Sequence, residues 1–66
     1  MKVRVNGRPR EVPEGVTVRE LLASLGLDRR GVAAAMNGAV VPRARWASTQ
    51  VTDGAEVEVL TAVQGG

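Results

Sequence analysis

The chain has 66 residues, the size of one small domain, and nine basic and seven acidic residues give it a formal net charge of +2. It contains no Cys and no His, which excludes disulfides, thiolate metal sites and imidazole as a general base or ligand. Trp46 is the sole aromatic residue, so we expect a core of Val, Leu, Ala and Met, and valine-rich segments favour strands.

Two strands joined by a tight turn are predicted at the start of the chain. Residues 2–5 alternate basic side chains with valines, which is typical of a half-buried strand. Asn6-Gly7 predicts a type I′ hairpin turn, because both residues tolerate positive φ. The returning strand covers residues 8–12, and Pro9, which lacks an N–H group, places it at a sheet edge or delays its start.

The clearest local structure is a helix that begins after Thr17. Thr17 and Glu20 have the spacing of a capping box, and Val16 and Leu21 have that of a hydrophobic staple. Gly26 is placed to end the helix in the left-handed conformation. Apolar residues follow one another at helical spacing on a single face, namely Val18, Leu21, Leu22 and Leu25.

Further strands are predicted after the helix. Residues 32–36 form a third strand, because the turn residues on either side leave too little room for a helix. An Asn-Gly turn then leads into a short extended segment at 40–41, and a small extra strand within 46–51 is an open alternative. The last strand covers 55–63. A mixed sheet of order β-β-α-β-β wrapped on one helix buries these apolar stripes, so we predict an α+β, ubiquitin-like β-grasp fold. Residues 1–66 form a single domain with a flexible C-terminal tail at about 63–66.

The outward face of the last strand changes character along its length. It begins with Glu56 and Glu58 and continues with Leu60 and Ala62. If the alternation holds, an apolar surface is exposed near the end of the chain, where a partner could dock. If a bulge instead turns Leu60 into the core, no such surface exists. Both alternatives are open from the sequence.

Little chemistry is available within the chain. Its Ser and Thr residues have no base to activate them, and its glycines form no phosphate-binding fingerprint. We interpret Glu56 and Glu58 as surface charges and not as a magnesium site. The arginines are dispersed, and neither a basic stripe nor a set of stacking aromatics is clear, so no nucleic-acid partner is expected. No apolar run approaches the ~18 residues of a membrane span, and no signal peptide precedes the first strand, so we expect a cytoplasmic protein that binds no membrane. We predict a protein that is not an enzyme and binds no metal or cofactor itself.

The sequence runs to Gln64-Gly65-Gly66. Two glycines without Cβ atoms allow an extended tail to pass through a channel too narrow for ordinary side chains. The α-carboxyl of Gly66 is the one unusual reactive group, but an ionised carboxylate is a poor electrophile. It could react only after activation by a partner that supplies ATP. A truncated or incidental end is the alternative interpretation.

Several segments occur together in a specific combination: an opening VNG, TVRELL in the helix, MNGAVVPRARW, DGAEVEV and a terminal QGG. In this combination the whole chain resembles the ThiS family, the ubiquitin-like sulfur carrier proteins of thiamin biosynthesis. Asn-Gly followed by Val-Pro-Arg-x-x-Trp and a terminal Gly-Gly is specific to that resemblance. Ala55 is a departure, because the family often has Asp there; we expect a changed turn hydrogen bond and no loss of function.

The resemblance implies that Gly66 is the site of covalent modification. A ThiF-type activating enzyme would adenylate it with ATP and Mg²⁺. A persulfide made with the help of a cysteine desulfurase would then displace AMP and leave a C-terminal thiocarboxylate. A ThiG-type thiazole synthase would accept the tail and take the sulfur. Gly65 and Gln64 would be the threading segment, and the implied partner contacts are Leu60, Ala62 and Val63.

The family motif includes Arg43 and Trp46, and two functions other than a thiamin sulfur carrier are open. For Arg43 and Trp46 we favour anchoring of the irregular segment over partner recognition. A sulfur carrier for molybdopterin or another sulfur-containing metabolite would use the same chemistry. A non-catalytic β-grasp binding module, with incidental glycines, is an alternative of a different class.

Overall fold

The computed structural model describes residues 1–61, and residues 62–66 lie outside the described part. The strands form one five-stranded sheet of order β2-β1-β5-β3-β4, in which β1 and β5 are parallel and all other neighbours are antiparallel. This mixed sheet with one α-helix confirms the predicted β-grasp. In chain order the elements are β1 Lys2–Val5, β2 Arg8–Glu11, α1 Val18–Ser24, β3 Val32–Met36, β4 Ala39–Val41, a 3₁₀ helix Arg43–Ser48, and β5 Glu56–Thr61.

Both Asn-Gly pairs form the predicted turns. Asn6 and Gly7 have φ of 51° and 81°, and Asn37 and Gly38 have φ of 52° and 83°. Two successive residues at positive φ are what a type I′ turn requires, and its twist matches that of the strands it joins. Pro9 lies in β2, which is an edge strand of the sheet, so the missing N–H group is tolerated there as predicted.

Helix α1 begins with the predicted capping box. The Glu20 N–H donates to Thr17 Oγ1 at 3.1 Å, and the Thr17 N–H donates to Glu20 Oε1 at 2.9 Å. These reciprocal bonds satisfy donors that the first turn of a helix leaves unpaired. Val16 and Leu21, on either side of the cap, are both buried. Leu25 caps the other end, and Gly26 follows at φ 71°, as the left-handed helix end requires.

The core lies between α1 and the inner face of the sheet. It contains no buried polar or charged residue among those described, so its cohesion is apolar packing. Leu25 of the predicted helix stripe is only partly buried and packs against this core. Within residues 1–61, no helix has the length and apolar character needed to cross a membrane. The buried core residues are Val3, Val5, Val16, Val18, Leu21, Leu22, Val32, Ala34, Val41, Trp46, Val51, Ala55, Val57 and Val59.

The extra strand lies elsewhere than predicted. The short segment at 40–41 is part of β4, which pairs with β3 along its length. The segment 46–51 contains the end of the 3₁₀ helix and then an isolated bridge between Gln50 and Thr17, so the open alternative of a strand there is wrong. The Arg45 N–H donates to the Pro42 carbonyl at 2.8 Å, which closes a turn in place of a sheet pairing.

Trp46 and Arg43 hold this 3₁₀ segment to the rest of the domain. The Trp46 ring is buried, and its Nε1–H donates to the Val41 carbonyl at 2.8 Å. The Arg43 guanidinium lies 4.7 Å from the centroid of that ring and donates to the carbonyls of Arg29 and Asp28 at 2.9 and 3.1 Å. The pair therefore joins the end of β4 to the loop after α1, which is the anchoring role favoured from the sequence.

The capping box yields a stability prediction. The substitution Thr17→Ala should lower the free energy of unfolding by about 1 kcal/mol, because the Glu20 N–H loses its acceptor. Urea denaturation followed by the fluorescence of Trp46 measures the change. Thr52→Ala is the matched control, since Thr52 is exposed and lies outside every helix and strand of residues 1–61. Equal losses in both variants would contradict a capping role for Thr17.

Candidate functional site

The last strand, β5, occupies the centre of the sheet. On one side it pairs in parallel with β1, where Glu56 and Val57 lie opposite Arg4 and Val5. On the other side it pairs with β3 as far as Thr61. The first half of β5 is thus paired on both sides, and its second half, as far as Thr61, is paired with β3.

The alternation along β5 continues to Leu60. Val57 and Val59 are buried, whereas the Leu60 side chain is 73% exposed on the opposite face. Each residue from Val57 to Thr61 has one partner in β3, so there is no extra residue and no bulge. The outward placement of Leu60 is therefore confirmed, and the bulge alternative is wrong. Ala62 and Val63, predicted to contact partners with Leu60, lie outside the described residues.

Leu60 belongs to a wider apolar patch on the outer face of the sheet, which consists of Ala33, Ala35, Val40 and Leu60. Ala33 lies opposite Leu60 in the register, and Ala35 lies opposite Val40. The alanines form a low floor, and Val40, 76% exposed, and Leu60 stand on either side of a depression of about 190 Å³. Sequence reasoning missed three members of this patch, because only the strand register brings them beside Leu60.

Glu58 is a charged residue beside the apolar patch. It lies opposite Ala35 and lines the depression together with members of the apolar patch. Glu56, two positions earlier on the same face, instead forms an ion pair with Arg4 at 3.6 Å. Both of those side chains are more than half exposed, so the pair contributes little stability. The outer face is therefore divided into a charged part near β1 and an apolar part near β3 and β4.

Both turn asparagines also bond to β5. The Asn6 side chain makes two hydrogen bonds with the Val59 backbone: Nδ2 donates to the carbonyl at 3.1 Å, and Oδ1 accepts from the N–H at 2.8 Å. Asn37 binds Glu56 at the other end of the strand, where Oδ1 accepts from the Glu56 N–H at 2.9 Å. The sequence indicated only the turns, because nothing local to an Asn-Gly pair tells which distant strand its side chain reaches.

The outer face of the sheet around β5 can present a binding surface to a partner. Within residues 1–61, no three or more acidic side chains are grouped so as to hold a metal ion. Gly66, Gly65 and Gln64, the predicted covalent and threading residues, lie outside the described part of the chain. The described part contributes β5, which carries Leu60 of the apolar patch and the Glu58 carboxylate and precedes these residues in the chain.

Comparisons with known proteins agree with this arrangement. The model of the ThiS family matches residues 3–66. The sulfur carrier protein ThiS of Escherichia coli (strain K12) is 35% identical over 66 residues, which cover all of both chains. A thiazole synthase of Paramagnetospirillum magneticum is 38% identical over 66 residues, and there the chain spans only 20% of the relative's length.

A solved structure has the same fold over the whole chain. The crystal structure of the thiamine biosynthesis protein ThiS from Geobacter metallireducens superposes with a TM-score of 0.84 at 38% sequence identity, and the match covers 100% of each chain. The fold, the family match and the full-length relatives agree, and the chain belongs to the ThiS family.

Proposed function

We propose that this chain is a sulfur carrier of thiamin biosynthesis, which holds its sulfur as a thiocarboxylate on Gly66. The observation that carries the proposal is the family membership of a chain whose match runs through Gly66. The E. coli relative is named a sulfur carrier protein and the Geobacter relative a thiamine biosynthesis protein. The exposed apolar patch beside the last strand supports it too, since a carrier must dock on the enzymes that load and unload it.

The chemistry begins with activation of the terminal carboxylate. One carboxylate oxygen attacks the α-phosphorus of ATP, and pyrophosphate leaves, so that Gly66 becomes an acyl adenylate. The ATP and Mg²⁺ are bound by the activating enzyme, of the ThiF type. The carrier is thus a co-substrate and not a catalyst, and we place it in the cytoplasm.

Sulfur transfer then replaces the adenylate. The terminal sulfur of a persulfide, generated by a cysteine desulfurase system, attacks the acyl carbon and AMP leaves. A thiol cleaves the resulting S–S bond, which leaves a disulfide on the donor side and a thiocarboxylate on Gly66. The sulfur is now a soft nucleophile held covalently, so no free sulfide is released.

The acceptor in this proposal is a thiazole synthase of the ThiG type. Its support is that a segment similar to this entire chain forms part of a protein named thiazole synthase in Paramagnetospirillum magneticum. The apolar patch would pack on the enzyme, and Gln64 and Gly65 would extend toward its active site. Without side chains on the last residues, a narrow channel suffices for entry.

The first prediction from the proposed function concerns the residue onto which sulfur is loaded. Incubation with ATP, Mg²⁺, the activating enzyme and a persulfide donor should replace one carboxyl oxygen by sulfur, and tandem mass spectrometry should place the change on Gly66. The same chain with several residues added after Gly66, and not processed, is the control. It should gain no sulfur, because its carboxyl is displaced from the activating site. The proposal would be contradicted if the extended chain gained sulfur, or if the chain that ends at Gly66 gained none.

The receiving pathway is tested separately. The loaded carrier should copurify with a thiazole synthase and transfer its sulfur to thiazole formation. A molybdopterin carrier would instead bind the large subunit of a molybdopterin synthase. A plain binding module would keep its binding after deletion of Gly65 and Gly66. Binding of the molybdopterin synthase subunit in place of the thiazole synthase would rule out the thiamin assignment.

A third prediction addresses the apolar patch. Leu60→Ser should raise the KM of the thiazole synthase for the loaded carrier by about tenfold or more, because a side chain of this size gains ~1.5–3 kcal/mol when it is buried and each ~1.4 kcal/mol is a factor of ten. Stability should change by less than ~0.5 kcal/mol, since Leu60 is already exposed. Glu56→Ser is the matched control, on the same strand and face but outside the patch, and it should leave KM unchanged. Equal KM values for the two variants would show that the patch is not the docking surface.

A further inference from the structure

The pairing between β1 and β5 ends before the last strand does. Register between the two strands extends to Val5 opposite Val57, and the Asn6 N–H donates to the Val57 carbonyl at 2.8 Å. At Asn6 the chain turns away into the hairpin. Among residues 1–61, β5 therefore has no paired strand on the β1 side from Val59 onward, although it continues to Thr61 on the β3 side.

The Asn6 side chain takes the place of the missing strand at Val59. Its carbonyl oxygen accepts from the Val59 N–H at 2.8 Å, and its NH₂ group donates to the Val59 carbonyl at 3.1 Å. A primary amide carries both a donor and an acceptor, so it can satisfy both backbone groups of one residue, as a neighbouring strand would. A carboxylate of the same shape can satisfy only the N–H group.

The position of this contact relates it to the candidate site. Val59 immediately precedes Leu60, an exposed member of the apolar patch, and Asn6 lines the depression there. The two Asn6 bonds restrain the β5 backbone next to Leu60 on the β1 side, where pairing between the strands has ended. A partner that docks on the patch then meets Leu60 in one position and does not have to order the strand.

We propose that Asn6 is a positioning residue of the carrier. Its side-chain amide holds the end of β5, and so presents Leu60 and Thr61 in the orientation that partner enzymes bind. The inference rests on the proposed function, but its first consequence, the restraint on Val59, exists in the free protein.

Asn37 provides a matched comparison within the same chain. It occupies the same position in an Asn-Gly turn, at φ 52° against 51° for Asn6, and its side chain also bonds to the backbone of β5. Its target is Glu56, at the start of the strand and outside the apolar patch. Asn→Gly at either position keeps the turn, since glycine adopts positive φ readily, and removes only the side-chain bonds.

The experiment has a first part on the free protein. Amide hydrogen exchange at Val59, measured by NMR relative to the Val3 amide in β1, should be more than about tenfold faster in Asn6→Gly than in the wild type. Asn37→Gly should leave that ratio within about twofold. An unchanged Val59 ratio in Asn6→Gly would overturn the inference.

The second part measures loading of sulfur onto Gly66 with the activating enzyme. Asn6→Gly should raise KM by about fivefold to tenfold with kcat unchanged, because docking must then order the end of β5 at a cost of about one net hydrogen bond. Asn37→Gly should leave KM within about twofold, although it also loses its side-chain hydrogen bond to β5. Asn6→Asp, which keeps the acceptor and lacks the donor, should fall between the wild type and Asn6→Gly.

The outcomes separate the inference from the function on which it rests. If the wild type gains no sulfur, the proposed function fails, whatever the exchange rates show. If the wild type is loaded and Asn6→Gly has the wild-type KM, the positioning role fails and the function stands. If both glycine variants raise KM equally, general loosening of the domain explains the effect and the positioning role is overturned.

Discussion

The parallel pairing of β1 with β5 is the constraint on which the rest of the structure depends. The Arg4 and Asn6 N–H groups donate to the Ala55 and Val57 carbonyls at 2.9 and 2.8 Å, which joins the first strand to the last. Parallel neighbours cannot be connected by a tight turn, so the chain between them has to cross the sheet. Helix α1 lies in that connection and covers the inner face, and β3 and β4 complete the sheet on the far side of β5.

A consequence of this pairing is that the last strand is internal. An edge strand exposes unpaired backbone groups and is free to bend or to pair with other chains. Here that exposure falls on β2 and β4, and Pro9 in β2 removes one of the N–H groups that an edge can offer. β5 is instead paired on both sides as far as Val57 and on the β3 side as far as Thr61, so neither flank of the strand is open along its whole length.

Side chains outside the sheet add to the same rigidity. Trp46 and Arg43 tie the 3₁₀ helix to β4 and to the loop after α1, and the Thr17–Gln50 bridge joins the next segment to the start of the helix. The Asn6 and Asn37 amides bond to β5 directly. The segment between β4 and β5 is thus bonded to the rest of the domain before β5 begins. These contacts support the sheet that carries the apolar patch.

The sequence by itself determined most of the local structure. The Thr17–Glu20 capping box, the helix stripe, the two Asn-Gly turns and the alternation of β5 depend on neighbours within a few residues, so local physical chemistry decides them. The apolar composition and the alternating strands were also sufficient to predict a mixed sheet on one helix.

The tertiary structure alone decided what the surface presents. Strand register brings Ala33, Ala35 and Val40 beside Leu60, and register depends on contacts between residues far apart in the chain. Local alternation likewise could not exclude a 3₁₀ helix at Trp46, because that helix depends on a bond from the ring to Val41 and on burial in the core. The second role of Asn6 follows from a partner 53 positions away, a distance over which no sequence pattern carries a signal.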